Sequence, residues 1–179
     1  MTLTAGLVLA AGEGRRFGGP KAPYVLDGER LVDRAVRVLR EGGCDPVVVV
    51  LGAWLGEVPR ADVLRNPEWA SGMGSSLRVG LAALTQRSEV DRALVTLVDL
   101  TGLTADAVRR VLASQDDLVV ATYDGERGHP VVLARAHWPG VAGSALGDRG
   151  ARTYLAEHEV ALVEVGDLAS GADLDERPD

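Results

Sequence analysis

Residues 9–21 read LAAGEGRRFGGPK and begin inside the apolar run AGLVLA of residues 5–10. Seven of these thirteen residues are Gly, Arg or Lys. A short apolar run that ends at glycine reads as a buried strand. A glycine-rich turn directly after a strand lets backbone N–H groups approach phosphate oxygens, and Arg or Lys then neutralises their charge. The stretch therefore asks for phosphate binding on an α/β scaffold. Two familiar phosphate loops do not fit it. Gly12, Gly14 and Gly18 give G-x-G-x-x-x-G, one residue too long for the dinucleotide fingerprint, and no acidic partner is clear about 20 residues on. A P-loop fails because Pro20 separates Gly19 from Lys21, and Ala22 stands where a hydroxyl residue is needed.

Working outward, strands and helices alternate. RLVDRAVRVLRE (30–41) places Leu31, Val32, Ala35, Val36 and Leu39 on one helical face, closed by Gly42 and Gly43. VVVVL (47–51), RALVTLV (92–98), DLVVATY (117–123), GHPVVLA (128–134) and VALVEV (160–165) read as strands, with a short one in ADVLRNP (61–67). SGMGSS (71–76) leads into a helix whose face carries Leu77, Leu81 and Leu84. Thr104 is placed to cap the helix ADAVRRVLA, and RGARTYLAEH (149–158) reads as a further helix. The alternation predicts a mixed, mostly parallel sheet with helices on both faces, in a single domain spanning 1–179. In such sheets ligands sit beyond the carboxyl ends of the strands, so the glycine loop, SGMGSS and Asp99 are expected on one edge.

Composition narrows the function classes. The chain has 179 residues, 46% hydrophobic but only 4% aromatic, so its core is built from Val, Leu and Ala. The net charge of −7 argues against nucleic acid as a partner. Cys44 is the one cysteine and reads as a packed thiol. No signal peptide or membrane-spanning stretch is apparent, and a cytoplasmic protein is expected.

The opening stretch resembles the signature L-A-A-G-x-S-x-R-[ML]-G-x-x-K of nucleotidyltransferases with a molybdopterin-transferase-like fold. NPEWASGMGSSLRVG (66–80) resembles the N-P-x-W-x-x-G-M-x-x-S-L-x-x-G block of the molybdenum cofactor cytidylyltransferase branch. VTLVDLTGLT (95–104), GHPVVLAR (128–135), GDRGARTYL (147–155) and DLD (173–175) resemble later family segments in the expected order. Leu100, Thr101 and Gly102 depart from the family's Asp-Gln-Pro pattern, and Glu176, Arg177 and Pro178 from the Thr-Pro-Glu of its last segment.

The resemblance implies a Rossmann-like three-layer α/β/α sandwich of the nucleotide-diphospho-sugar transferase type. It implies nucleotide contacts from Leu9, Ala10, Ala11, Gly12, Gly14, Arg16, Lys21, Asn66, Gly72, Met73, Ser75, Ser76 and Asp99. Arg16, Lys21 and Asp99 take the catalytic roles, with Gly14 in place of the signature Ser. Asp99 with Asp175, or else Asp173, is the implied Mg²⁺ pair. His129 and Asp148 are candidates for the acceptor side, against plain readings as a turn histidine and a helix cap. The expected reaction moves an NMP, from CTP before GTP, to a phosphate acceptor of the molybdopterin type and releases pyrophosphate. A molybdenum enzyme or its chaperone is a further expected partner. Other readings are a transferase for sugar phosphates, a non-catalytic nucleotide-binding maturation partner, and, on fold alone, a Rossmann dehydrogenase.

Overall fold

A computed structural model describes residues 2–179. The chain runs β1 (Leu3–Ala10), β2 (Val25–Leu26), β3 (Glu29–Arg30), α1 (Leu31–Glu41), β4 (Val47–Leu51), β5 (Asp62–Arg65), α2 (Met73–Thr85), β6 (Val90–Leu97) and α3 (Ala105–Ala113). It continues through β7 (Leu118–Tyr123), β8 (Glu126–Ala134), α4 (Trp138–Ser144), α5 (Arg152–Ala156) and β9 (Ala161–Glu164).

One seven-stranded sheet has the order β5-β4-β1-β6-β8-β7-β9. All neighbours pair parallel except β8, which runs antiparallel to both β6 and β7. The hydrophobic strands pack on both faces. Val8, Val47 and Val49 meet Val32, Val36 and Leu39 of α1 and Val108 and Val111 of α3. Leu7, Leu9, Val48 and Val50 meet Leu77, Leu81 and Leu84 of α2, with Trp138 of α4 and Leu155 of α5. These two cores make the three-layer α/β/α sandwich, and near-continuous apolar strands are what burial on both faces demands. Helix α2 lies close to the sheet at Gly80, where a Cβ would come within 2.5 Å of the Leu7 side chain.

The sheet order reverses at β1. The chain leaves β1 for β4 and β5 on one side, then crosses to β6 on the other. Leu9 pairs with Leu97, so the carboxyl ends of β1 and β6 stop side by side. A crevice opens at such a switch point because the loops on either side diverge to opposite faces.

Two local readings need correction, and two elements were not foreseen. The GHP segment holds no turn: His129 lies within β8, and the tight turn falls earlier, at Asp124 and Gly125, both with positive φ. The helix expected over 149–158 shrinks to Arg152–Ala156, because Gly150 has φ +53° and breaks it. Helix α4 was hidden by Pro139 and two glycines, although Pro is at home in a first turn. The β2–β3 ribbon closes on Asp27 and Gly28, both with positive φ, an Asp-Gly hairpin signal that the helical pattern beside it obscured. Thr104 caps α3 as expected, its side chain accepting from the Ala107 N–H. Cys44 is buried, and burial pushes its thiol up to about 12, so it packs rather than reacts.

Candidate active site

The glycine loop closes on itself. The N–H groups of Gly18 and Gly19 both donate to the Gly14 carbonyl, at 2.8 and 3.0 Å. Gly14 has φ +63°, and a Cβ there would collide with the Gly19 carbonyl oxygen. The signature Ser is excluded at this position by the backbone itself. Phe17 is buried under the loop, edge-to-face with Tyr24 at 4.8 Å, and anchors it.

Across from the loop, the Val98 N–H donates to the Leu9 carbonyl at 3.1 Å, extending the β1–β6 pairing to the residue before Asp99. Lys21 Nζ donates to Asp99 Oδ2 at 2.9 Å, both side chains being largely buried. Asp99 Oδ1 is buried and has no partner. A buried carboxylate oxygen without a donor is costly unless a ligand meets it.

Between these elements lies a cavity of about 250 Å³. Leu9, Ala10, Ala11, Gly12, Gly14 and Lys21 form one wall, and Gly72, Met73, Ser76 and Asp99 much of the other. Trp69, Leu97 and Val98 also line it and were not among the expected residues. Trp69 could have been found, since it stands in the NPEW motif. Leu97 and Val98 look like plain strand residues, and only the end of β6 exposes them.

Two residues expected at the nucleotide are set back from this wall. Asn66 is buried and donates from Nδ2 to Ser75 Oγ at 2.8 Å and Ser76 Oγ at 2.9 Å, while its Oδ1 accepts from the Glu68 N–H. Ser75 Oγ lies 2.8 Å from the Gly72 carbonyl, to which it donates. Asn66 and Ser75 therefore hold the shape of the loop, and Ser76 alone of the three reaches the cavity. Arg16 is exposed at an outer vestibule of about 490 Å³, shared with Arg15, Lys21, Asp99 and Asp175. Arg15 pairs with Glu13.

Asp148, expected on the acceptor side, lines both the inner cavity and the outer vestibule. Its Oδ1 accepts from the Met73 N–H at 3.3 Å, so it caps α2 from a distant loop rather than a helix of its own. Gly72 permits this approach, since a Cβ there would lie 2.8 Å from the same oxygen.

A second cavity of about 310 Å³ adjoins the first and shares Leu9 and Met73 with it. Its floor is apolar, from Leu77, Val95, Val120 and Val131. His129, Arg127, Arg149 and Arg152 supply its polar groups. Burial pushes the His129 imidazole down to about 4, the Asp99 carboxylate opposing the shift and Arg152 adding to it. His129 is thus neutral at pH 7 and faces a site instead of a turn.

Among the described residues, no group of three or more His, Cys, Asp or Glu is arranged to hold a metal ion by itself. Magnesium, however, commonly takes only one or two carboxylates and fills its shell with substrate phosphate oxygens and water. The unpartnered Asp99 Oδ1 fits that donor set. Asp175 Oδ1 lies 3.8 Å from Lys21 Nζ, and desolvation with the nearby carboxylates of Asp99 and Asp175 raises the Asp173 carboxyl above its usual range. Three carboxylates thus share the neighbourhood of one lysine. No helix among the described residues is long and apolar enough to cross a membrane.

Comparison with known proteins bears on this arrangement. The family model of the MobA-like NTP transferase domain matches residues 6–162. Nicotine blue oxidoreductase of Paenarthrobacter nicotinovorans is 38% identical, over 95% of this chain and 91% of its own. A protein of Mycobacterium ulcerans named "Probable molybdenum cofactor guanylyltransferase" is 32% identical, over 94% of this chain and 77% of its own. The crystal structure of Rv0371c from Mycobacterium tuberculosis H37Rv superposes with a TM-score of 0.79 at 25% identity, covering 96% of this chain and 93% of that one. A glycine loop and an aspartate facing each other across the switch point of such a sheet are what a nucleoside triphosphate needs, and the chain belongs to the family of MobA-like NTP transferase domains.

Proposed function

We propose that the protein transfers CMP from CTP to the phosphate of a molybdopterin-type acceptor and releases pyrophosphate. The observation that supports this reading is the convergence of Lys21, the glycine-loop residues Gly12 and Gly14 and the unpartnered Asp99 Oδ1 on one cavity, with a second cavity continuing from it. An acceptor phosphate oxygen attacks the α-phosphorus, and the α–β bridging oxygen leaves with pyrophosphate. Lys21 and Arg16 neutralise the triphosphate, and the loop amides hold its oxygens. Asp99 with Asp175 or Asp173 would hold Mg²⁺, which supplies positive charge to the phosphate oxygens when bound. The apolar second cavity would seat a flat ring system, with its arginines toward the acceptor's negative charge.

CTP is favoured by Ala11 in LAAG and by the NPEW…GMGSSL block. GTP is the competing donor, supported by the guanylyltransferase name of the Mycobacterium ulcerans relative.

A second reading is an oxidoreductase of the Rossmann dehydrogenase kind, which would have to bind a nicotinamide dinucleotide despite the glycine spacing. It is supported by 38% identity to an oxidoreductase over 95% of the chain, and by the apolar second cavity. One experiment separates the two. Thermal stability is measured with CTP, GTP, ATP, NADH and NADPH, each with and without Mg²⁺. A ligand at about 100 times its Kd adds about 2.7 kcal/mol of stability. A Mg²⁺-dependent shift with CTP or GTP, followed by pyrophosphate release with a molybdopterin acceptor, supports transfer. A shift only with NADH or NADPH overturns it in favour of the second reading.

A further inference from the structure

Past β9 the chain forms no helix or strand, yet it runs back over the carboxyl edge of the sheet on a defined path. The Ser170 N–H donates to the Gly102 carbonyl at 3.2 Å, and the Leu174 N–H donates to the Asp99 carbonyl at 3.0 Å. Asp175 then approaches Lys21. Arg177 Nε donates to the Phe17 carbonyl at 3.1 Å. Its guanidinium carbon lies 5.3 Å from the centre of the Phe17 ring and 5.7 Å from that of Tyr24. Gly18 and Gly19 face the same guanidinium: a Cβ on Gly19 would lie 3.4 Å from Nη2. One short stretch is therefore bonded at one end to the loop that carries Asp99 and at the other to the glycine loop that leads to Lys21.

We propose that Arg177 is a positioning residue for the glycine loop. It fixes the Phe17 carbonyl, and through it the Gly14–Gly19 turn, in the shape that sets Gly12 and Gly14 against the inner cavity, where a triphosphate would lie. The stretch 170–177 couples that turn to Asp99. The physical need is plain. A loop with four glycines loses much conformational entropy on ordering, and its internal backbone bonds both end on the single Gly14 carbonyl. An external donor that is also stacked on the anchoring Phe17 removes that freedom from outside. Arginine suits the task, since its planar group stacks on a ring while its edge donates. Arg177 lines neither cavity and acts only through the loop.

The test compares the wild-type protein with Arg177→Ala and Arg177→Lys. Without nucleotide, trypsin cleavage after Arg15 and Arg16 reads the order of the loop directly. Cleavage in Arg177→Ala is expected to be roughly tenfold faster, with the urea midpoint of the whole chain unchanged. Titration with CTP and Mg²⁺ is expected to show binding roughly tenfold weaker. Arg177→Lys keeps the charge but loses the Nε donor, and should resemble Ala. Unchanged cleavage in Arg177→Ala overturns the proposal. So does full recovery by Lys, or faster cleavage with unchanged CTP affinity. The second readout rests on the transferase reading. A wild-type protein that binds no triphosphate sinks that reading, and the cleavage rates still decide whether Arg177 holds the loop.

Discussion

The inner cavity is walled by glycine backbone on one side and holds one tightly paired lysine and aspartate, while its neighbour is assembled from side chains of four strands and two helices. The first is compact in sequence on its phosphate side, since one loop supplies most of that wall. The second depends on long-range pairing, above all on β8 running antiparallel between β6 and β7. The difference teaches that a wall of backbone can be written in a short motif, because one glycine loop supplies it, while an apolar pocket built from ordinary Val and Leu side chains is written in sheet order.

The sharpest way to break the comparison is at the ion pair. Lys21→Ala and Asp99→Ala are each expected to lower the rate of pyrophosphate release by a factor of roughly 10² to 10³ while leaving the fold intact. Near-normal turnover in either purified variant would mean that the inner cavity is not where the chemistry happens.

Asn66→Ala tests whether the wall of the inner cavity is held from behind. Removing Nδ2 leaves two buried serine hydroxyls without their donor, at a cost of about 1–3 kcal/mol in urea unfolding. An unchanged midpoint would show that the network is dispensable.

Ala156→Trp, at the exposed rim of the second cavity, sharpens the division of labour. Use of the acceptor is expected to fall roughly tenfold, as for other small changes in pocket volume. The thermal shift with CTP should be unaltered, and loss of both would mean that the cavities are one site.

The smallest effect concerns His129. Its folded-state pKa lies near 4, below the ordinary 6.5, so between these values the unfolded chain binds more protons than the folded one. Stability is therefore full above about pH 6.5 and declines as pH falls toward 4, with a slope of at most about 1.4 kcal/mol per pH unit. In His129→Leu the unfolding free energy should depend less on pH across that window. Equal slopes in the two proteins would remove the buried neutral imidazole from the account.

Much of this was legible beforehand, for physical reasons. The strand over 47–51 is a continuous Val and Leu run and that over 92–98 is rich in both, as doubly covered parallel strands require. The cap at Thr104 has a local cause, so it could be read locally. What escaped depends on distance in the chain. Asp148 is a cap for α2, not for its own segment, because Gly72 admits a carboxylate from 75 residues away. His129 looked like a turn residue because Gly128 and Pro130 flank it, but β8 carries all three in extended form. Arg177 sat in a tail that departs from the family pattern, and nothing local marks it as reaching Phe17.

One feature of the glycine loop bears on how such enzymes can be re-engineered. The Gly14 carbonyl receives two amides, and the Gly19 carbonyl lies where a Gly14 side chain would have to go. The two positions are thus interlocked. Restoring the signature serine at 14 alone would force the turn apart. Residues 14–19 therefore behave as one unit: a loop sequence grafted here must keep the Gly14–Gly19 interlock, together with whatever braces it from outside.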